Sequence, residues 1–201
     1  MLELPSSCRV DKFIPKKTFY EKVNISNTLK QEFIDKLEKI TWKYKIDENT
    51  INISKTVDVE EIEVFELILK EKYDAKNLIR TITKEIPYQI LFILKYNNEF
   101  RYAIKFKEDI ILKNWNEDIK INLLGYNLKN IYEYIIKQVA NLNENDKNIE
   151  MQLEKKNKIV EIKKQIEKLY SRMQKEKQFN IKVEINKKIT ELKKELDNLN
   201  E

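Results

Sequence analysis

The apolar positions of this chain change period repeatedly along its length. Leu29, Phe33, Leu37, Ile40 and Tyr44 recur at steps of three and four, a stripe that predicts a helix over 28–45. Thr28 and Gln31 have capping-box spacing at its start. Residues 56–70 then read as a strand. Val64 to Leu69 is apolar except for Glu66, the pattern of a central strand covered on both faces. Asp74 is placed to cap a helix to about Glu85, with Ala75, Leu78, Ile79 and Ile82 on one side, and Pro87 stops it.

Tyr88 to Tyr96 predicts a second buried strand. Asn97-Asn98 fits a two-residue type I′ turn, because Asn tolerates positive φ. Phe100, Tyr102, Ile104 and Phe106 alternate with Arg101, Ala103, Lys105 and Lys107, so a half-buried strand follows, with a short one near 109–113. Asn127 is placed to cap a helix over 128–142 with Leu128, Ile131, Tyr132, Ile135 and Val139 inward. The first 25 residues read as an extended arm, with Phe13, Phe19 and Tyr20 as its anchors.

From 147 the period is that of a coiled coil. Ile159, Ile162, Ile166, Leu169 and Met173 form one a/d seam; Ile185, Ile189, Leu192 and Leu196 form another. The two are out of phase, so something interrupts them around Lys177-Gln178-Phe179-Asn180. An antiparallel hairpin folded there explains the slip within one chain; a stutter in a long dimeric helix is the alternative. The predicted fold is therefore α+β: a mixed sheet with packed helices at 1–142, then a helical hairpin or coiled coil at 147–201.

Composition removes whole chemistries. With no His in 201 residues there is no imidazole base or ligand. Cys8 alone forms neither a disulfide within the chain nor a cysteine-rich zinc site. Gly125 alone cannot build a glycine-cradled phosphate loop. No apolar run approaches the roughly 18 residues of a membrane span, and Met1 to Lys17 has no long apolar core. These features predict a cytoplasmic protein without a membrane partner. The net charge of +5 is uneven: residues 1–150 carry 25 basic and 25 acidic side chains, and residues 151–201 carry 14 and 9.

That asymmetry matters for candidate chemistry. Lys164, Lys168, Arg172 and Lys175 line the side opposite the first seam, with Lys182 and Lys187 to add if the hairpin closes. Such a stripe can track phosphates, and it is equally the pattern of a solvated helix face. Glu63, Glu66 and Lys70 offer the carboxylates and lysine of a Mg²⁺-dependent nuclease. Strand alternation, however, puts Glu60 and Glu66 on one face and Glu61 and Glu63 on the other. No metal site or cofactor is predicted outside that nuclease reading.

Four stretches carry a family resemblance: Ile14-Pro-Lys-Lys-Thr-Phe-Tyr-Glu21, Val64-Phe-Glu-Leu-Ile-Leu-Lys70, Ile86-Pro-Tyr-Gln-Ile-Leu-Phe-Ile-Leu-Lys-Tyr96 and Glu176-Lys-Gln-Phe-Asn-Ile-Lys-Val-Glu-Ile-Asn186. In order and spacing the chain resembles the bacterial family called domain of unknown function 4391. The resemblance implies a place beside helicase and adenine-specific DNA methyltransferase genes in restriction-like defence operons. It assigns no catalytic residue. Together these readings lead to an expected accessory or adaptor protein of a DNA modification or phage-defence system. Its coiled coil would dock a helicase or methyltransferase, or a second copy, with weak DNA contact. A metal-dependent nuclease and a self-associating structural protein are the alternatives.

Overall fold

The computed structural model describes residues 2–21, 25–123 and 125–200. The described residues form six strands and seven α-helices. In chain order these are β1 (Arg9–Ile14), α1 (Lys17–Tyr20), α2 (Asn27–Asp35), β2 (Leu37–Ile46), α3 (Glu48–Ile51), β3 (Ile62–Leu69), α4 (Lys76–Glu85), β4 (Gln89–Tyr96), β5 (Glu99–Phe106), β6 (Asp109–Leu112), α5 (Leu128–Ala140), α6 (Ile149–Lys175) and α7 (Phe179–Asn200). The chain divides into two compact units, 1–144 and 145–201.

In the first unit one sheet holds all six strands in sequence order. Every neighbouring pair is antiparallel except β3–β4, which is parallel and joined by α4. The sheet is mixed, as the sequence predicts. The registers align Trp42, Phe65, Phe92, Ala103 and Leu112 in one row across β2 to β6. Phe65 meets Trp42 at 6.5 Å between ring centroids and Phe92 edge-on at 6.3 Å. That row packs with Leu78, Ile79 and Ile82 of α4 and Phe33 of α2. Val64, Leu91 and Ile104 alternate to the other face, where α5 lies along β5 and β6. The Tyr132 hydroxyl of α5 donates to the Lys105 carbonyl at 2.6 Å. Helices on both faces make the central strands continuous apolar runs, the usual consequence of a parallel pair.

The strand predicted over 56–70 is shorter, Ile62–Leu69, the arm predicted as extended contains helix α1, and the largest difference lies at β2. The helix over 28–45 ends at Asp35, and 37–46 is strand β2. Ile40 and Tyr44 fit both periods, and Ile40, Trp42, Tyr44 and Ile46 alternate at two. Their β-branched and aromatic side chains suit a pleated surface. Two register shifts against β3 disguise that alternation. The α2 cap also moves: Ser26 Oγ, not Thr28, accepts from the Leu29 N–H at 3.2 Å. Asp74 Oδ1 does accept from Lys76 N, although Ala75 is the residue in the cap position, at φ 52°. In the β4–β5 turn Asn97 has positive φ (52°) and Asn98 does not, so the turn departs from type I′. The arm at 1–25 supplies β1 and α1; Phe19 is buried and stacks on Phe33, whereas Phe13 is left 56% exposed. Asn127 caps α5 as predicted, its side chain accepting from Asn130 N at 3.0 Å.

The second unit is an antiparallel helical hairpin, with the break at residues 176–178. Asn148 caps α6 by accepting from Met151 N at 2.9 Å. Ile162 and Ile166 bury against Ile185 and Ile189, with Leu169, Met173, Leu192 and Leu196 packed around them; Ile159 is half-buried. Lys158 pairs with Glu195 at 2.8 Å across the two helices. Folding back lets each seam cover the other, which neither helix does alone.

Phe92 is fully buried at the centre of the aromatic row. Phe92→Ala should destabilise the first unit by about 3–5 kcal/mol, a large share of a typical domain's stability. Urea denaturation of the full chain measures this. A change within experimental error of zero would contradict the row as the core.

Candidate functional site

The predicted nuclease residues do not converge. Glu63 and Glu66 are three positions apart on β3 and face opposite sides of the sheet. Glu66 is paired with Lys95 of β4 at 2.5 Å. Lys70 lies past the end of β3, where its ammonium donates to the Ile34 carbonyl at 2.8 Å. Lys16 donates in the same way to the Leu37 carbonyl at 2.7 Å. Both ammonium groups sit at the C-terminal end of α2, where the helix dipole favours positive charge. Among the described residues no three carboxylate or thiol ligands gather around a point. The geometry explains Glu66 and Lys70 as an ion pair and a helix stop.

Glu63 is different. It is 4% exposed and sits at the mouth end of β3, opposite Lys45 of β2. One of its carboxylate oxygens, Oε2, is buried without a hydrogen-bond partner. Its neighbour on the same face, Glu61, is engaged by the Lys45 ammonium at 2.6 Å, and Lys45 also reaches Asp47 at 3.2 Å. Asp47 is held in turn by its capping box with Thr50. Lys45 thus serves the two outer carboxylates and leaves Glu63 the least compensated. Burial, then the Glu61 charge and its hydrogen bond, push the Glu63 carboxyl up to about 8; Lys45 and Trp42 oppose this.

Both Glu61 and Glu63 open into a cleft of about 390 Å³. Its walls are largely apolar: Phe13 and Ile14 from β1, Trp42 from β2, Phe65 from β3, and Ile86 and Tyr88 from the segment between α4 and β4. Phe13 and Tyr88 are exposed aromatics on its rim, 56% and 39% respectively. Apolar walls with a few convergent polar groups are the common form of a small-ligand site, and the volume lies in its usual range. Strand alternation does predict Glu61 and Glu63 on one face, but the interrupted apolar run draws attention to Glu66 instead, and Trp42 reads as a packing residue. The available signal is the i, i+2 acidic pair at the start of an otherwise buried strand.

On the hairpin, Lys164, Lys168, Arg172, Lys175 and Lys187 are exposed and Lys182 is half-buried. Lys168 and Lys188 border one groove between α6 and α7, together with Glu191 and Glu195. At the turn, the Glu176 carboxylate accepts from the Lys177 and Gln178 N–H groups at 2.8 and 2.9 Å. These bonds, with Arg172 and Lys182 nearby, hold it below the usual carboxylate range. The turn end therefore gathers Arg172, Lys175, Lys177 and Lys182 around one acid. Phe179 and Val183 are exposed there, 77% and 51%.

The first unit is a mixed α+β sheet with a ligand-sized acidic cleft, and the second a basic helical hairpin. The chain belongs to the family described as Domain of unknown function (DUF4391), which it matches over residues 2–196. Comparison with curated proteins and with solved structures gives no match. No helix among the described residues is long and apolar enough to cross a membrane.

The raised Glu63 carboxyl has a consequence for stability. The folded chain holds this proton more tightly than the unfolded chain, whose carboxyl titrates near 4.5. The stabilising protonated form is fully present below that value and is lost as pH rises toward about 8. The slope is at most about 1.4 kcal/mol per pH unit in that window. Glu63→Gln should remove this slope, so its advantage over wild type grows from pH about 5 to about 8 and then levels off. Denaturation curves across that range test it; parallel curves would show that Glu63 titrates normally.

Proposed function

We propose that this chain is a non-enzymatic accessory protein of a bacterial DNA modification or phage-defence system. Its hairpin docks a helicase or DNA methyltransferase partner and makes weak contact with DNA. The observation that supports this reading is the turn end of the hairpin. Arg172, Lys175, Lys177 and Lys182 lie close in the chain to exposed Phe179 and Val183, a combination suited to a partner surface with a polyanion close by. The surplus of positive charge in this unit points the same way, since the first 150 residues are neutral overall. A self-contained seam leaves this turn end, rather than the a/d stripe, as the docking element.

A nuclease is less well supported. Glu66 has a lysine partner and Lys70 caps a helix, so neither is available to an attacking water without rearrangement.

The test is DNA binding by fluorescence anisotropy on the full chain. A variant with Lys164, Lys168, Arg172 and Lys175 changed to Gln serves as comparison. Wild type should bind with a salt-dependent affinity. The variant should bind more weakly, with a log–log salt slope shallower by about one for each phosphate it no longer neutralises. DNA should stay intact with Mg²⁺. No binding at low salt would remove the DNA contact, and Mg²⁺-dependent cleavage abolished by Glu66→Ala would replace the adaptor reading with the nuclease.

A further inference from the structure

We infer that the cleft between β1, β2 and the α4–β4 segment is a binding site for an organic cation, a guanidinium or ammonium group on an apolar stem. Glu63 is the residue that receives the charge. This goes beyond the adaptor reading, which rests on the hairpin alone.

Three independent features of the site converge on that class. The first is the unsatisfied acceptor. Glu63 is 4% exposed and its Oε2 has no donor. Glu61 and Trp42 engage the group, yet a buried carboxylate with one oxygen left unfilled is still expensive, and a hydrogen-bonding cation relieves it. The nearest ammonium, Lys45, does not fill this role, because it is bound to Glu61 and Asp47. The second is the wall. Trp42, Phe65, Phe13 and Tyr88 line the same cleft as Glu61 and Glu63. Aromatic faces attract cations through their quadrupole and accept an apolar stem, whereas they offer nothing to an anion. The third is exposure. Phe13 and Tyr88 stay open at the rim, as Ile34, Val57 and Tyr126 do elsewhere in this unit. Aromatic rings held open beside a buried acid are understandable as the closing surface of a ligand site.

The charge balance agrees. Glu61 and Glu63 line the cleft with Lys12 as its basic lining residue, and Glu61 is paired with Lys45, which also reaches Asp47. A metal ion is a poorer occupant. Among the described residues no set of three ligating side chains forms, and the walls supply few oxygens. An anion would meet Glu61 and Glu63 directly.

The test follows the two tryptophan indole N–H signals by ¹H–¹⁵N NMR. Trp42 is in the cleft wall, and Trp115 lies elsewhere, near Lys72 and Arg101. The full chain is titrated at about pH 8.5, above the Glu63 transition, with n-butylguanidinium, n-butylammonium and uncharged n-butylurea. The expected result is a saturable shift of Trp42, with Trp115 unmoved, for at least one cation. Butylurea should bind about ten-fold or more weakly, and Glu63→Gln should weaken cation binding by a similar factor. Unchanged denaturation midpoints or higher ones in Glu63→Gln would exclude unfolding as the cause. A peptide with one Arg or Lys between uncharged residues separates two sources of the same chemistry. Tighter binding than the free cation means that the group arrives on a protein, and weaker binding means a small molecule. The inference is overturned if no cation shifts Trp42 saturably. It is also overturned if Glu63→Gln binds as wild type does, or if butylurea binds as well as the cations. None of these outcomes depends on DNA binding by the hairpin, so the two readings fail separately.

Discussion

The parallel pairing of β3 with β4 governs the rest of the first unit. Two parallel neighbours cannot be joined by a tight turn, so the chain must cross one face of the sheet, and α4 is that crossing. Once α4 covers one face, the alternate residues Val64, Leu91 and Ile104 need cover on the other, which α5 supplies. A sheet buried on both sides leaves little room for charge on its strands. Each ionisable residue there has to find a partner, reach an edge or remain uncompensated. Glu66 finds Lys95. Lys113, 6% exposed, turns to the C-terminal end of α5 and donates to the Gln138 carbonyl at 2.7 Å and Asn141 Oδ1 at 2.5 Å.

Glu63 therefore stands out by comparison with Lys113 rather than by burial alone. Both are ionisable residues removed from water within the same unit. Lys113 is surrounded by acceptors at a helix end where a cation is favoured. Glu63 has a like charge beside it and an oxygen with no donor. The first arrangement closes a structural problem, and the second leaves one open at the wall of a cleft.

The fold is legible in the sequence wherever a residue's pattern has one physical explanation. Asn127 with its inward stripe, the two apolar runs of β3 and β4, and the alternation of β5 admit few alternatives. The two-residue slip between the seams likewise points to the reversal at 176–178. Pattern misleads at β2, where Ile40 and Tyr44 satisfy both a helical and an alternating period. The bulges that decide between them depend on β1 and β3, which local pattern cannot reveal. The cleft is hidden for a related reason. Its acids are close in sequence, but Phe13, Trp42 and Tyr88 meet them only through the β1–β2–β3 pairing and the turn after α4. Glu66 looks anomalous because it interrupts an apolar run, yet its partner lies on the next strand, two residues beyond its register mate Ile93.

The two units divide their chemistry by sign. The hairpin concentrates positive charge on a surface whose apolar seam is already satisfied, so its exposed side chains can change without unfolding it. The sheet unit is nearly balanced in charge, with 24 basic and 23 acidic side chains over residues 1–144, and it places Glu61 and Glu63 in a recess built from three strands and a connecting segment. A surface of the first kind suits polyanions and partner proteins, because contact there requires no opening of the core. A recess of the second kind limits what it can hold by size as well as by charge. On β3, Glu63 sits on a strand paired on both sides, with β2 and with β4. The strand that holds Glu63 also holds Phe65 and Leu67 in the core, so the acid cannot swing out to water without disturbing the packing that defines the fold.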